Sequence, residues 1–237
     1  MAVSGSTDFS VTANDIIKGA LRVLGVIASG ETPTAEEISD AKEALNMMVK
    51  SWMGPNNPLM PGLKMWAREN ATLNLSAKAV YSLKPSGGDL DIDIPVKILE
   101  AVLRDSNNND TPMKEMTLEE YMAIGNKTET GDPLKYYYER RRDEGKLYLN
   151  LVPSDTTKTI FFYYLRPIYD FDSNTDNPDF PQEWYEALKY QLALRLAPEY
   201  GVPVTPELKG LADRALGLVQ TFHPERSVLY FQPNKEY

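Results

Sequence analysis

The chain has 237 residues, 42% of them hydrophobic and 25% charged. That is ordinary for a globular protein and long enough for one large domain or two small ones, at roughly 100–200 residues each. A net charge of −9, with an isoelectric point near 4.8, argues against a nucleic-acid reader, because non-specific binding needs lysines and arginines to displace counterions. The absence of cysteine removes disulfides, thiolate metal sites and a cysteine nucleophile. A single histidine, His223, leaves no pair for a histidine-based zinc or catalytic centre. No apolar run reaches the roughly 20 residues that span a bilayer, so no membrane partner is expected.

Residues 1–11 read as a flexible arm without the basic start and apolar stretch of a signal peptide. A first helix is predicted over residues 12–26, with Ile16, Ala20, Val23, Leu24 and Ile27 on one side. Thr12 and Asp15 have capping-box spacing at its start. A second helix follows over residues 34–53. Thr34 and Glu37 form a T-x-x-E box there, and Ile38, Ala41, Leu45, Met48, Val49 and Trp52 form an apolar stripe. Glycines and prolines from Gly54 to Gly62 then mark a loop.

From residue 63 to about 168 the period falls towards two. Leu73 and Leu75 alternate with polar neighbours, as do Leu147, Leu149 and Leu151. Residues 98–104 read as a further strand. A turn at Pro153-Ser154-Asp155 predicts a hairpin between residues 147–151 and 159–165. The second of these segments is apolar at both parities and is expected to be buried on both faces. A short helix over residues 117–124, boxed by Thr117 and Glu120, interrupts the strands. Residues 106–110 and 126–132 read as polar loops, and residues 170–179 as an acidic linker.

A third helix is predicted from Pro181, with Trp184, Leu188, Leu192 and Leu196 at every fourth position. A fourth begins at Thr205-Pro206-Glu207, with Leu208, Leu211, Ala212, Ala215, Val219 and Phe222 as its stripe. The core prediction therefore rests on Leu24, Leu45, Trp52, Trp184, Leu188, Leu192, Leu211 and Phe222. Residues 223–237 lose the helical period but keep Val228, Leu229, Tyr230, Phe231 and Tyr237. An aromatic, unpatterned segment suits one that orders on a partner. The expected architecture is α+β. A four-helix bundle from residues 12–62 and 171–222 carries an inserted antiparallel β domain at residues 63–170 and an extended tail at 223–237.

Motifs for chemistry are missing: there is no nucleophile elbow, phosphate loop or dinucleotide fingerprint. Asp89, Asp91 and Asp93 share the spacing of a calcium loop, but Ile94 stands where that loop needs glycine, which favours a solvated acidic loop. Gly87-Gly88 reads as a turn. Tyr136 to Tyr138 followed by Arg140 to Arg142 could stack bases and hold phosphates, but an exposed strand paired with acidic neighbours is favoured. No enzyme activity, cofactor or metal is expected.

The run GALRVLGVIASGETPTAEEISDAKEALNMMVKSW resembles the opening of podovirus head-to-tail adaptors, also called tail accessory factors or head completion proteins. Ala20, Leu21, Arg22, Leu24, Gly25 and Val26 match one motif, and Asp40, Ala41, Leu45, Met48 and Trp52 the next. The run FPQEWYEALKYQLALRLAPEYG resembles that family's third helix, through Ala187, Leu188, Leu192, Ala193, Leu196, Ala197, Pro198 and Tyr200. Gln191 stands where many members have asparagine. The β-rich middle is similar to longer members such as the upper tail-tube protein of related podophages.

The resemblance implies a structural virion component assembled in the host cytoplasm. It would form a dodecameric ring below the portal that extends the DNA channel and docks the tail nozzle or hub, with tail fibres as further partners. Genomic DNA would pass through without sequence-specific binding. His223, Val228, Leu229, Tyr230, Phe231 and Tyr237 would face the portal. A tail hub or nozzle component, or a tail-associated glycan hydrolase, are the alternative readings.

Overall fold

The computed structural model describes residues 4–53 and 65–221. The chain is a mixed α+β protein that divides into two compact units. The first comprises the described residues up to Trp52 and from Asp170 onward. The second comprises Met53 and the residues from 65 to Tyr169.

The first unit is helical, with α1 (Ala13–Val23), α2 (Ala35–Trp52), α4 (Tyr185–Leu196) and α5 (Pro206–Thr221). Each start has a local cause. At α1 the Thr12 hydroxyl accepts from the Asp15 amide, and the Asp15 carboxylate accepts from the Thr12 amide. The loop after the β region supplies further acceptors: the Ala13 and Asn14 amides donate to the carbonyls of Asp176 and Asn174. Four orphan amides at a helix start need such partners. Thr34 and Glu37 make the same reciprocal box at α2. Thr205 caps α5 through the Leu208 amide. A 3-10 turn (Gln182–Trp184) leads into α4.

The expected four-helix bundle does not form. Helix α4 is the hub: α1, α2 and α5 each pack on it, and α5 makes its one substantial long-helix contact there. The centre of α4 is small and aliphatic, with Ala187, Leu188, Leu192, Ala193 and Leu196 all buried. Gln191 donates to the Ala212 carbonyl of α5 at 3.0 Å, which fixes that pair. Leu24, Leu45, Trp52, Trp184, Leu188 and Leu192 are buried. Leu211 is not: it is 46% exposed, and α5 turns Leu208, Ala212, Ala215 and Val219 inward instead. The stripe read from the sequence is wider than the side of α5 that α4 covers. Phe222 lies outside the described residues.

The acidic segment after residue 169 is anchored rather than a loose linker. Phe171 is buried, and its amide and carbonyl both bond to the Asn46 side chain of α2. Lys42 donates to the Asp172 carbonyl, and Lys50 pairs with Asp170.

The second unit is a large, nearly closed sheet around a single core. Its strands are β1 (Arg68–Asn74), β2 (Val80–Lys84), β3 (Leu90–Asp91), β4 (Lys97–Arg104), β5 (Asp110–Glu115), β7 (Lys135–Arg140), β8 (Gly145–Leu149) and β10 (Thr159–Leu165). The order is β1-β10-β4-β5-β7-β8-β2-β3. A short parallel pair, β6 (Thr130–Gly131) with β9 (Val152–Pro153), stands apart. Leu73 on β1 and Tyr81 and Leu83 on β2, near opposite ends of that order, belong to one buried cluster with Leu147, Ile160 and Phe162. Alternation along β2 and β8 puts every second side chain into it.

Three expectations for this unit are corrected. The sheet is mixed rather than antiparallel, because β5–β7 and β2–β3 run parallel. The predicted hairpin is absent: β8 pairs with β7 and β2, whereas β10 lies between β1 and β4. Two apolar strands near in sequence do not fix pairing when other partners offer longer ladders. Finally, β10 is not buried throughout on both faces: on the outer one Leu165 is buried but the residues before it are not. Ile160, Phe162 and Tyr164 enter the core, while Tyr163 on the other face is 37% exposed. That outer face is covered by cations instead of a second layer. Arg104 lies 4.4 Å from the Phe161 ring centre and Arg68 5.4 Å from that of Tyr163.

Two stability predictions arise here. Gly210 and Gly217 in α5 have open space where a side chain would project. Gly210→Ala and Gly217→Ala should each raise stability by about 0.5–1 kcal/mol, read from the urea midpoint. At α1, bonds from the Thr12 amide and hydroxyl hold the Asp15 carboxyl below its ordinary value of 3.8. A depressed carboxyl stabilises the folded state above its unfolded value and ceases to as pH falls through the lowered one. The advantage of the wild type over Asp15→Asn should therefore be full at neutral pH and disappear on acidification below 3.8.

Candidate interaction surfaces

The acidic and basic motifs singled out in the sequence are tied into the fold. Asp89 accepts from the Ser82 amide at 2.8 Å and pairs with Lys78. Asp91 accepts from the Gly88 amide, and Asp93 from the Tyr169 hydroxyl. The three carboxylates thus serve separate donors, and Gly87 in the turn before them has a φ of +68° that suits glycine. Among the described residues no group of three histidines or acids converges as a metal site.

Tyr136, Tyr137 and Tyr138 split by strand parity. Tyr136 points into the core, and the Tyr138 hydroxyl donates to the Pro95 carbonyl at 2.7 Å. Burial raises the pKa of both, so both hydroxyls stay protonated. Arg141 forms a two-pronged pair with Glu139 and also reaches the Tyr148 hydroxyl. Arg142 lies in the turn that joins β7 to β8, beside Asp143 and almost fully solvated.

Sequence reasoning missed an aromatic stack on the outside of this sheet. Tyr137 and Tyr148 are directly opposed across β7 and β8, with ring centres 5.6 Å apart. Tyr121 of the short helix α3 (Leu118–Met122) completes the stack, 5.1 Å from Tyr148 and 6.0 Å from Tyr137. Lys127 covers Tyr121. Thr117 and Glu120 cap α3 reciprocally, yet none of its residues is buried. Leu118 and Met122 stand out from it, 54% and 64% exposed. The available signal was parity: Tyr137 and Tyr148 both fall at outward positions of alternating strands.

The helical unit presents two further surfaces. Glu36, Asp40, Glu43 and Met47 line the outer side of α2, and all four are exposed. Glu207, Leu211, Arg214 and Leu218 line an exposed flank of α5. The N-terminal arm lies along a recess of about 240 Å³ beside α1 and α4, lined by Phe9, Val11, Ile16 and Tyr185. The Gln182 side chain donates to the Thr7 carbonyl, and Phe9 packs 6.1 Å from Tyr185. The expected portal-facing residues His223, Val228, Leu229, Tyr230, Phe231 and Tyr237 lie outside the described residues.

The described residues thus present capped helices, a sheet with a filled core, and outward patches of aromatic and aliphatic side chains. The model of the family described as SU10 adaptor protein matches residues 11–227, and the chain belongs to that family. It is accordingly a phage adaptor protein and a virion component. The match runs through the β unit as well as the helices, so the inserted strands are part of the family pattern. No curated protein matches the chain. Among the described residues no helix is long and apolar enough to cross a membrane.

Proposed function

We propose that this adaptor joins head to tail in a short-tailed phage, as a dodecameric ring below the portal that extends the DNA channel and docks the nozzle or hub. The single observation carrying this reading is the family match across both units, residues 11–227. The acidic balance supports it. A net charge of −9 keeps the subunit soluble before assembly and lets DNA pass without being held.

The chain performs no covalent chemistry; its work is contact. The helical unit supplies contacts between copies. The β unit, with α3 and its tyrosine stack, faces the next tail component or a fibre. The tail adds area against the portal through Val228, Leu229, Tyr230, Phe231 and Tyr237, beginning near His223. Of these only His223 falls within the matched residues.

Deleting residues 227–237 tests the tail directly. Portal binding by the full chain and by the truncated chain is compared by sedimentation, alongside their melting temperatures. The expected result is weakened binding with the melting temperature nearly unchanged. Equal binding, or a large fall in melting temperature, contradicts the role given to the tail.

A further inference from the structure

The outer sides of α2 and α5 share a spacing and differ in chemistry. Along α2, Glu36, Asp40, Glu43 and Met47 follow one another at four, three and four residues. Along α5, Glu207, Leu211, Arg214 and Leu218 follow at the same intervals. Residues so spaced form one straight row on a helix. Met47, Leu211 and Leu218 are about half exposed, at 52%, 46% and 56%. Large aliphatic side chains held so far into water at regular helical spacing form a surface that gains by being covered.

We propose that these two rows are the two halves of one contact, the α2 row of one copy lying along the α5 row of the next. The partner is a second copy of this chain, and charge selects it. Two α2 rows brought together would set three carboxylates against three, which is repulsive. The α2 row therefore needs a less like surface, and α5 offers one on the same chain: Leu218 meets Met47 and Arg214 meets Glu43 or Asp40, with Glu36 and Glu207 the one like-charged pair, at the end of the row. A contact between unlike patches is head-to-tail, the kind that closes into a ring and does not stop at a dimer. The geometry of α5 favours close approach, since Gly210 and Gly217 leave open space beside the row. This inference rests on the ring reading above and adds which faces meet.

The lack of cysteine makes the test direct. Full-length Met47→Cys and Leu218→Cys chains are mixed and treated with a short bis-maleimide, both free at high concentration and assembled with portal. The Met47→Cys chain with Met122→Cys is the control. The expected result is a several-fold excess of the Met47–Leu218 cross-link over both homodimers and over the control. Glu43→Arg on one chain should reduce that yield, and Arg214→Glu on the other should restore it. Equal yields from all pairs, or an excess of the Leu218 homodimer, overturns the proposal. If images of the portal mixture show rings while the excess is missing, the faces are wrong and the ring stands. If neither rings nor the excess occurs, both readings fall.

Discussion

Replacing Trp52 by alanine should destabilise the helical unit by about 3–5 kcal/mol, the cost of emptying a large aromatic site. Trp52 ends α2 and is buried against Phe180 and Trp184, with ring centres 6.4 and 6.3 Å away. Phe180 and Trp184 are themselves 5.6 Å apart, so the three rings form one closed cluster. Phe180 and Trp184 enter from the segment leading into α4, which lies far along the chain from Trp52. The cluster therefore joins the two ends of the sequence that make up this unit. Two aromatic rings facing a void collapse poorly, which places the cost towards the upper end of the range. The measurement is urea unfolding followed by fluorescence, with Trp184 as the remaining reporter in this unit. A midpoint shift at unchanged slope reports stability alone. A near-neutral result would remove the cluster from the account of this unit.

Phe162→Ala should cost a similar ~3–5 kcal/mol in the β unit. The ring is fully buried on β10, between Ala71 of β1 and Ala101 of β4. Both cross-strand neighbours are alanines, so Phe162 fills volume that neither of them can recover. Tyr164 is the next inward side chain on the strand, 5.8 Å away. Backbone circular dichroism during unfolding is the appropriate readout, since the sheet dominates this unit. Loss of less than about 1 kcal/mol would mean that the sheet does not close on a single core, because surface substitutions fall in that range.

The helices were legible because their signals are local. Thr12 with Asp15, Thr34 with Glu37 and Thr117 with Glu120 each make the reciprocal cap that their spacing implies. Their assembly was not legible. A stripe shows that a helix has an apolar side, not how much of it a neighbour covers, and Leu211 is the residue where the two differ. The strands show the same division. Alternation located β1 and β8, and apolar runs located β4 and β10, but pairing is long-range: β10 joins β1, some 90 residues earlier, rather than the nearby β8.

The contact surfaces were the least legible part. Tyr137 and Tyr148 become a site only when the register sets them opposite one another and α3 adds Tyr121. Met47 lies off the apolar stripe read for α2, and only its exposure beside Glu36, Asp40 and Glu43 marks a surface. The family resemblance read from the helical ends named the class. The match over residues 11–227 extends it through the strands.

The central claim is assembly, and an electron-microscope image of the full chain mixed with its isolated portal tests it most directly. The account predicts a closed ring of this chain stacked below the portal, coaxial with its channel, without hub or nozzle present. Portal rings left bare, or the chain bound as scattered single copies, would contradict it.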